Sequence, residues 1–472
     1  MCYDECWHEQ WPVCPRATVV ALSAIAALFL HTLALLLALA AVGYARALAP
    51  GLAVVALAAA LIGASVRWPC RYNAAASRLV PSLLHLAVVV NFAGLLLVLA
   101  ALHAILNRPY WVTFGVAVLA VPALASYSRI PLMPPRLRFP WILAVTLLLG
   151  GLMIRAEPEP YIDLWYMQQR ACGLLLLGEN PYAALYPNIY PDEGHYGAAV
   201  LRGHSILSFC YPPLSILLAL PGYCLAGDVR WSLLAATGGA ATFLVAAGRR
   251  LGLPAGHWAE LGVALLLLHP MTPVVVLRGW TEPFVALGVA LGGWALASGR
   301  GRALGLSLAW VVSVKQYGLL WVASVWSTGR VGRRDALLGA AAAAAVLLPF
   351  ALADPALFWL GNVTHHLVSP PHPDCLSVPA AIRSATGHHP SPAWGFAAAV
   401  AATWAVVRRR PALPSRAALG GGAILLTFFL LNKVANINYH WLVMSFFALA
   451  VVSAIGEERG AGALDLEANP SE

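Results

Sequence analysis

The sequence predicts an all-α polytopic membrane protein, and three observations carry that prediction. Hydrophobic residues fill 60% of the 472 positions while charged residues hold only 10%, a balance far from that of a soluble domain. Apolar runs long enough to cross a ~30 Å hydrocarbon core recur along the chain. The arginines collect in short connections between those runs, on one side by alternation, as the positive-inside rule requires. In a soluble protein a net charge of +9 would suggest nucleic acid. Here it marks cytoplasmic loops, so no nucleic-acid partner is expected and membrane lipids surround the chain.

Taken in order, hydropathy places five spans first, at about 17–43, 51–66, 79–104, 110–127 and 140–154. The first run is too long for a signal-peptide core and lacks a cleavage site, so it reads as a retained helix. Cys2, Cys6, Cys14 and His8 precede it without zinc-ligand spacing. A polar stretch, Glu157 to Pro213, then interrupts the membrane pattern with six acidic residues and many tyrosines and prolines. Asp163 opens a short amphipathic pattern there (Leu164, Trp165, Met167, Ala171, Leu174, Leu175), suited to a helix lying flat in the interface.

Spans follow at about 212–227 and 231–248, and the run 258–276 is broken by His269-Pro270 and Pro273 into an expected pair of bent half-helices. This parity sets Arg249 and Arg250 outside, against the charge rule. After a span at about 284–298, the run 303–327 has Lys315-Gln316 at its centre and arginines at both ends. It must rise and return as two short helices with Lys315 at the outer turn, a discontinuity of the kind that marks sites in membrane proteins. Spans at about 336–353, 393–408, 417–432 and 440–456 complete about 12 full spans plus broken half-helix pairs and an outer-face active-site loop. Both termini are expected in the cytoplasm, with the protein in a plasma (inner) membrane. Residues 1–154 form an accessory bundle, 155–456 a functional core, and 457–472 an acidic tail expected to be disordered.

The chemistry converges on the outer face. The Asp163 stretch, RGWTEPF (Arg278 to Phe284), VKQY with Lys315 and Gln316, the loop THHLVSPPHPDCLS and the segment KVANINYH all fall there, and ionisable groups at membrane depth are costly and usually functional. Only two of the 29 basic residues are lysines, Lys315 and Lys433, and both occupy outer turns. An ammonium on a flexible stem can pair with a phosphate oxygen as a point charge, or it can satisfy helix-end carbonyls. Asp163 suits a base that takes a proton from a sugar hydroxyl; the alternative is a helix N-cap. Glu282 is a second carboxylate, with pairing to Arg278 as its plain alternative. His440, at the head of the last span, is a candidate substrate contact. His365 and His366 lack a third ligand at metal spacing, so no metal is expected. Asn362-Val363-Thr364 matches a glycosylation sequon.

At these residues the chain resembles the GT-C glycosyltransferases, and among them the family-87 enzymes (DUF-2029 type) that use polyprenyl-phosphate sugars. The likeness rests on an outer-loop Asp before an amphipathic helix, then GENPY (Gly178 to Tyr182), then Tyr211-Pro212-Pro213 opening a span. VKQYG and KVANINYH resemble that family's lysine turn and its late NY segment, while Trp280 and Glu282 depart from its Gly-Gln pair. The resemblance implies a GT-C-like bundle and metal-independent, inverting transfer without a cofactor. It implies a hexose, mannose-like, moving from a polyprenyl-phosphate donor to a lipid, glycan or protein acceptor. Asp163 would be the base, and Asn180, Tyr182, Tyr211, Arg278, Glu282, Lys315, Gln316, Lys433, Asn436, Tyr439 and His440 would bind substrate. The rival reading is a transporter or flippase of a lipid-linked saccharide, which would also gather cations on broken helices.

Overall fold

The computed structural model describes residues 74–106, 111–128, 130–190, 195–372, 375–388 and 390–468. The spans expected at about 17–43 and 51–66, with the Cys2, Cys6, Cys14 and His8 group, lie outside the described residues. Among the described residues there are nineteen α-helices: α1 (Ala74–Leu106), α2 (Trp111–Val118), α3 (Val121–Ser126), α4 (Pro135–Ala156), α5 (Asp163–Leu176), α6 (Leu214–Ala226), α7 (Arg230–Arg250), α8 (Leu261–Leu267), α9 (Met271–Leu277), α10 (Glu282–Ala297), α11 (Gly301–Val314), α12 (Gly318–Trp326), α13 (Arg333–Ala353), α14 (Pro355–Trp359), α15 (His365–Val368), α16 (Val378–Thr386), α17 (Ala393–Val407), α18 (Pro414–Leu431) and α19 (Ile437–Ala468). Between α5 and α6 lies one small antiparallel sheet of β1 (Leu185–Pro187), β2 (Leu201–Arg202) and β3 (Ser205–Leu207), ordered β1-β3-β2.

Six described helices are long and apolar enough to cross a membrane, or seven if the bent pair Trp258–Leu267 and Met271–Leu277 counts as one span. The chain is a multi-pass membrane protein, although twelve full spans are not reached among the described residues. Several expected spans are helices of only 13 to 16 residues, α6, α10 and α17 among them. The bend of 43° in the broken run falls where the sequence places His269-Pro270, because a proline cannot supply the amide that continuous helix requires.

Small residues let the helices approach closely. A side chain at Gly293 of α10 would meet Leu449 of α19, and one at Gly421 of α18 would meet the Trp321 ring of α12. Such contacts replace the hydrophobic driving force that lipid cannot supply between helices.

Pairings at the two ends of α10 fix the course of the next segment. Lys315, just after α11, reaches Glu282 at the head of α10, and Arg330, past α12, donates to the Leu296 carbonyl at its foot, at 3.1 Å. Helices α11 and α12 therefore rise and return, with Lys315 at the turn.

One span expectation is corrected. Helix α6 has only 13 residues and does not reach the other end of the bundle. It closes at Gly227 in a left-handed cap (φ 72°), and the chain turns back at once into α7. Arg230 then donates to the carbonyls of Glu157 at 2.8 Å and Pro158 at 3.0 Å, so both ends of α6 lie at the end of the bundle that carries Asp163. Arg249, at the foot of α7, pairs with Glu260 at 2.8 Å, and Glu260 also accepts from Tyr127 at 2.7 Å. The apparent violation of the charge rule at Arg249 and Arg250 disappears.

Candidate active site

Two carboxylates organise the end of the bundle that carries Arg230. Asp163 is the first residue of α5, and the N-cap is Ile162, so Asp163 is not the cap that plain helix chemistry would have made it. Its Oδ1 accepts from the Leu164 backbone amide at 2.7 Å, and its Oδ2 accepts a hydrogen bond from the Tyr196 hydroxyl. Burial first, and then the neighbouring carboxylate, raise the Tyr196 pKa, so that phenol remains a donor. Helix α5 is anchored through Trp165, whose indole donates to Asp228 at 3.2 Å and whose Cβ packs at Gly279, a residue with positive φ. Asp228 in turn pairs with the fully buried Arg230 at 2.5 Å. Arg230 thus ties α5, the 154–158 turn and the end of α9 together, a role the sequence did not announce.

Glu282 lies deeper. Its Oε1 pairs with Lys315 Nζ at 2.6 Å and accepts from the Tyr317 hydroxyl at 3.0 Å, while its buried Oε2 has no partner. Glu282 does not pair with Arg278, which was its plain alternative. Arg278 faces Glu157 instead, at 3.7 Å, because α9 ends facing the 154–158 turn while the head of α10 turns into the bundle. The Lys315 ammonium lies over three aromatic faces, those of Tyr211 at 4.4 Å, Tyr439 at 4.8 Å and Tyr317 at 5.6 Å, an arrangement that compensates part of its lost hydration. Gln316 donates to the Asn362 carbonyl at 2.9 Å and contacts His366.

The structure therefore brings Tyr211, Glu282, Lys315, Gln316 and Tyr439 together. It does not bring the other expected substrate contacts into that cluster. The Asn180 side chain accepts from the Tyr182 amide at 3.0 Å, and the buried Tyr182 donates to the Tyr211 carbonyl at 2.6 Å. Both residues shape the loop that delivers Tyr211. Lys433 Nζ donates to the carbonyls of Leu367 at 2.6 Å and Ser369 at 2.5 Å. Asn436 Oδ1 accepts from the Cys375 thiol at 2.8 Å, and a His440 ring nitrogen lies 2.9 Å from the Leu376 carbonyl. The segment KVANINYH thus grips the loop that follows α15.

Sequence reasoning passed over Tyr196 and gave the loop histidines little weight. Burial lowers His365 to about 3 and His366 to about 4, so both rings are neutral at physiological pH. The sequon residue Asn362 is buried and its amide donates to the Phe358 carbonyl at 3.0 Å, which closes it to glycosylation in this fold. Among the described residues no group of three or more His, Cys, Asp or Glu converges on one point.

No protein-family model matches the chain, and no curated protein matches it. Among solved structures, the chain is similar to a crystal structure of ArnT from Cupriavidus metallidurans bound to undecaprenyl phosphate, with 14% sequence identity and a TM-score of 0.43 over 70% of this chain. The match spans 62% of that protein's chain.

Proposed function

We propose that this chain is a GT-C-type membrane glycosyltransferase of the family-87 kind, with Asp163 as its base. It moves a mannose-like hexose from a polyprenyl-phosphate donor to a hydroxyl of a lipid, glycan or protein on the extracytoplasmic side. The observation that carries this reading is the state of the Asp163 carboxylate. It is half-buried, and the protein gives each of its two oxygens one hydrogen bond. An ionised carboxylate offers about four acceptor sites, so capacity remains for an incoming hydroxyl.

The proposed step is a single displacement. The acceptor oxygen bonds to the anomeric carbon as its proton passes to Asp163. The bond from that carbon to the phosphate oxygen breaks, and the electron pair leaves with the lipid phosphate. One direct displacement inverts the anomeric centre, and a phosphate leaving group needs cations more than an acid. Arg278, about a quarter exposed and held only loosely by Glu157, is the cation best able to turn towards the donor phosphate. Lys315 serves the donor indirectly, by holding Glu282 and the three tyrosines that wall the inner part of the site.

The test is a panel of labelled polyprenyl-phosphate sugars supplied to the protein in nanodiscs with envelope lipids and glycans as acceptors. One donor should give a labelled covalent product and free lipid phosphate. Movement of intact lipid-linked saccharide across a bilayer, with no covalent product from any donor, would establish the transporter instead.

A further inference from the structure

Lys433 lies far from Asp163 in sequence, yet an unbroken series of contacts joins them. Its ammonium holds the carbonyls of Leu367 and Ser369, at the C-terminal end of α15, where helix carbonyls lack partners of their own and favour a cation. The rest of its segment grips the same loop. Leu376 donates its amide to the Ala435 carbonyl at 2.9 Å, and the Cys375 thiol accepts from the Ala435 amide at 3.2 Å while donating to Asn436. Helix α15 then bears on the loop that carries Tyr196. Gly197 packs so tightly there that a Cβ would lie 2.6 Å from the Val368 carbonyl oxygen. The Tyr196 ring meets the His365 ring edge-on at 5.9 Å between centroids, and a His372 ring nitrogen lies 3.0 Å from the His195 carbonyl. Tyr196 hands the position on to the Asp163 carboxylate.

We propose that Lys433 and Gly197 are positioning residues, which press α15 against the 195–200 loop and so hold the Tyr196 hydroxyl on the Asp163 carboxylate. This deepens the transferase reading, on which its catalytic half rests, and it gives Lys433 a different task from binding the donor phosphate. The physical reason is geometric: Nζ is buried and already engaged by two carbonyls, whereas a phosphate ligand needs its charge directed at substrate. A misplacement of ~1 Å in a reacting group costs up to ~100-fold in rate, so a strut remote from the carboxylate can govern turnover.

The experiment compares Lys433→Met, Lys433→Arg and Gly197→Ala in nanodiscs by amide hydrogen exchange and by transfer kinetics. Lys433→Met and Gly197→Ala should both speed exchange across 195–200 and 365–369, and should lower kcat by ~10- to 100-fold with donor KM within about two-fold of wild type. Lys433→Arg, which can also donate to two carbonyls, should recover most of the lost kcat. A rise in donor KM with kcat intact would make Lys433 a phosphate ligand and overturn the proposal, as would unchanged exchange in both disruptive variants. If the wild-type protein transfers no sugar, the transferase reading fails, and the exchange data still decide whether the contacts act as one unit.

Discussion

Glu282 and Lys315 are almost wholly enclosed, and a buried ion pair responds asymmetrically to change. Glu282→Gln leaves the Lys315 charge without its counter-ion and should destabilise the protein by ~3–5 kcal/mol, whereas Glu282→Gln with Lys315→Met together should cost far less. Denaturant unfolding of the single and double variants in detergent checks this, and equal losses would show that the pair is not coupled. His365 and His366 give a second prediction. Their folded pKa values, about 3 and about 4, lie below the ordinary 6.5 because burial disfavours the charged ring. The unfolded chain therefore binds more protons than the fold between those values. The stability they contribute is complete above about pH 6.5 and is lost as pH falls towards about 4. From pH 7 to pH 5, roughly, the melting temperature of wild type should fall more than that of His365→Gln/His366→Gln. Parallel curves would remove the histidines from the pH response. The lysines were legible as special residues because the chain has only two. Their partners were not, since nothing local to Lys433 points to carbonyls 66 and 64 positions away.

Among the elements, those governed by local chemistry were readable. The break at His269-Pro270 and the turn at Lys315 follow from proline and from a charge inside an apolar run, and α5 begins where its amphipathic pattern begins. Helix α6 was misread as a span because its composition is apolar throughout. Its length of 13 residues, or ~20 Å at 1.5 Å per residue, and its return at Asp228 depend on Arg230 reaching backbone carbonyls over 70 positions away. Cysteine accessibility in membrane vesicles separates the two courses. Leu225→Cys and Thr386→Cys, both at exposed positions, should react with an impermeant thiol reagent from one side, and Gly332→Cys and Ala412→Cys only from the other. Reaction of Leu225→Cys together with Gly332→Cys would restore α6 as a crossing helix. The α11–α12 turn also has a tight point, since a Cβ at Gly318 would lie 2.4 Å from the Val311 carbonyl oxygen. Gly318→Ala should therefore loosen the turn and lower the unfolding temperature, while Gly299→Ala, in open space at positive φ, should cost only the strain of its backbone.

At the scale of the whole molecule, a sheath of crossing helices presents one end built from segments distant in sequence: α5, the β-sheet loop, the C-terminal end of α9, the head of α10, the α11–α12 turn, α15 and the KVANINYH segment. Hydropathy and arginine placement sent these segments to one face, and that part of the site was legible. Their division of labour was not, because it depends on side-chain pairings such as Tyr196 with Asp163 that leave no periodic trace in the chain. The central claim is that Asp163 removes the acceptor proton. Asp163→Asn retains an oxygen for the Leu164 amide, and its amide N–H can donate to the Tyr196 oxygen once that hydroxyl turns, so the proton acceptor is removed while the unfolding temperature should hold. The most direct measurement is single-turnover transfer from a saturating polyprenyl-phosphate sugar by wild type and Asp163→Asn in the same nanodiscs. With Asp163 as the base, transfer in the variant should fall ~10²- to 10⁴-fold; transfer at the wild-type rate would remove Asp163 from that role.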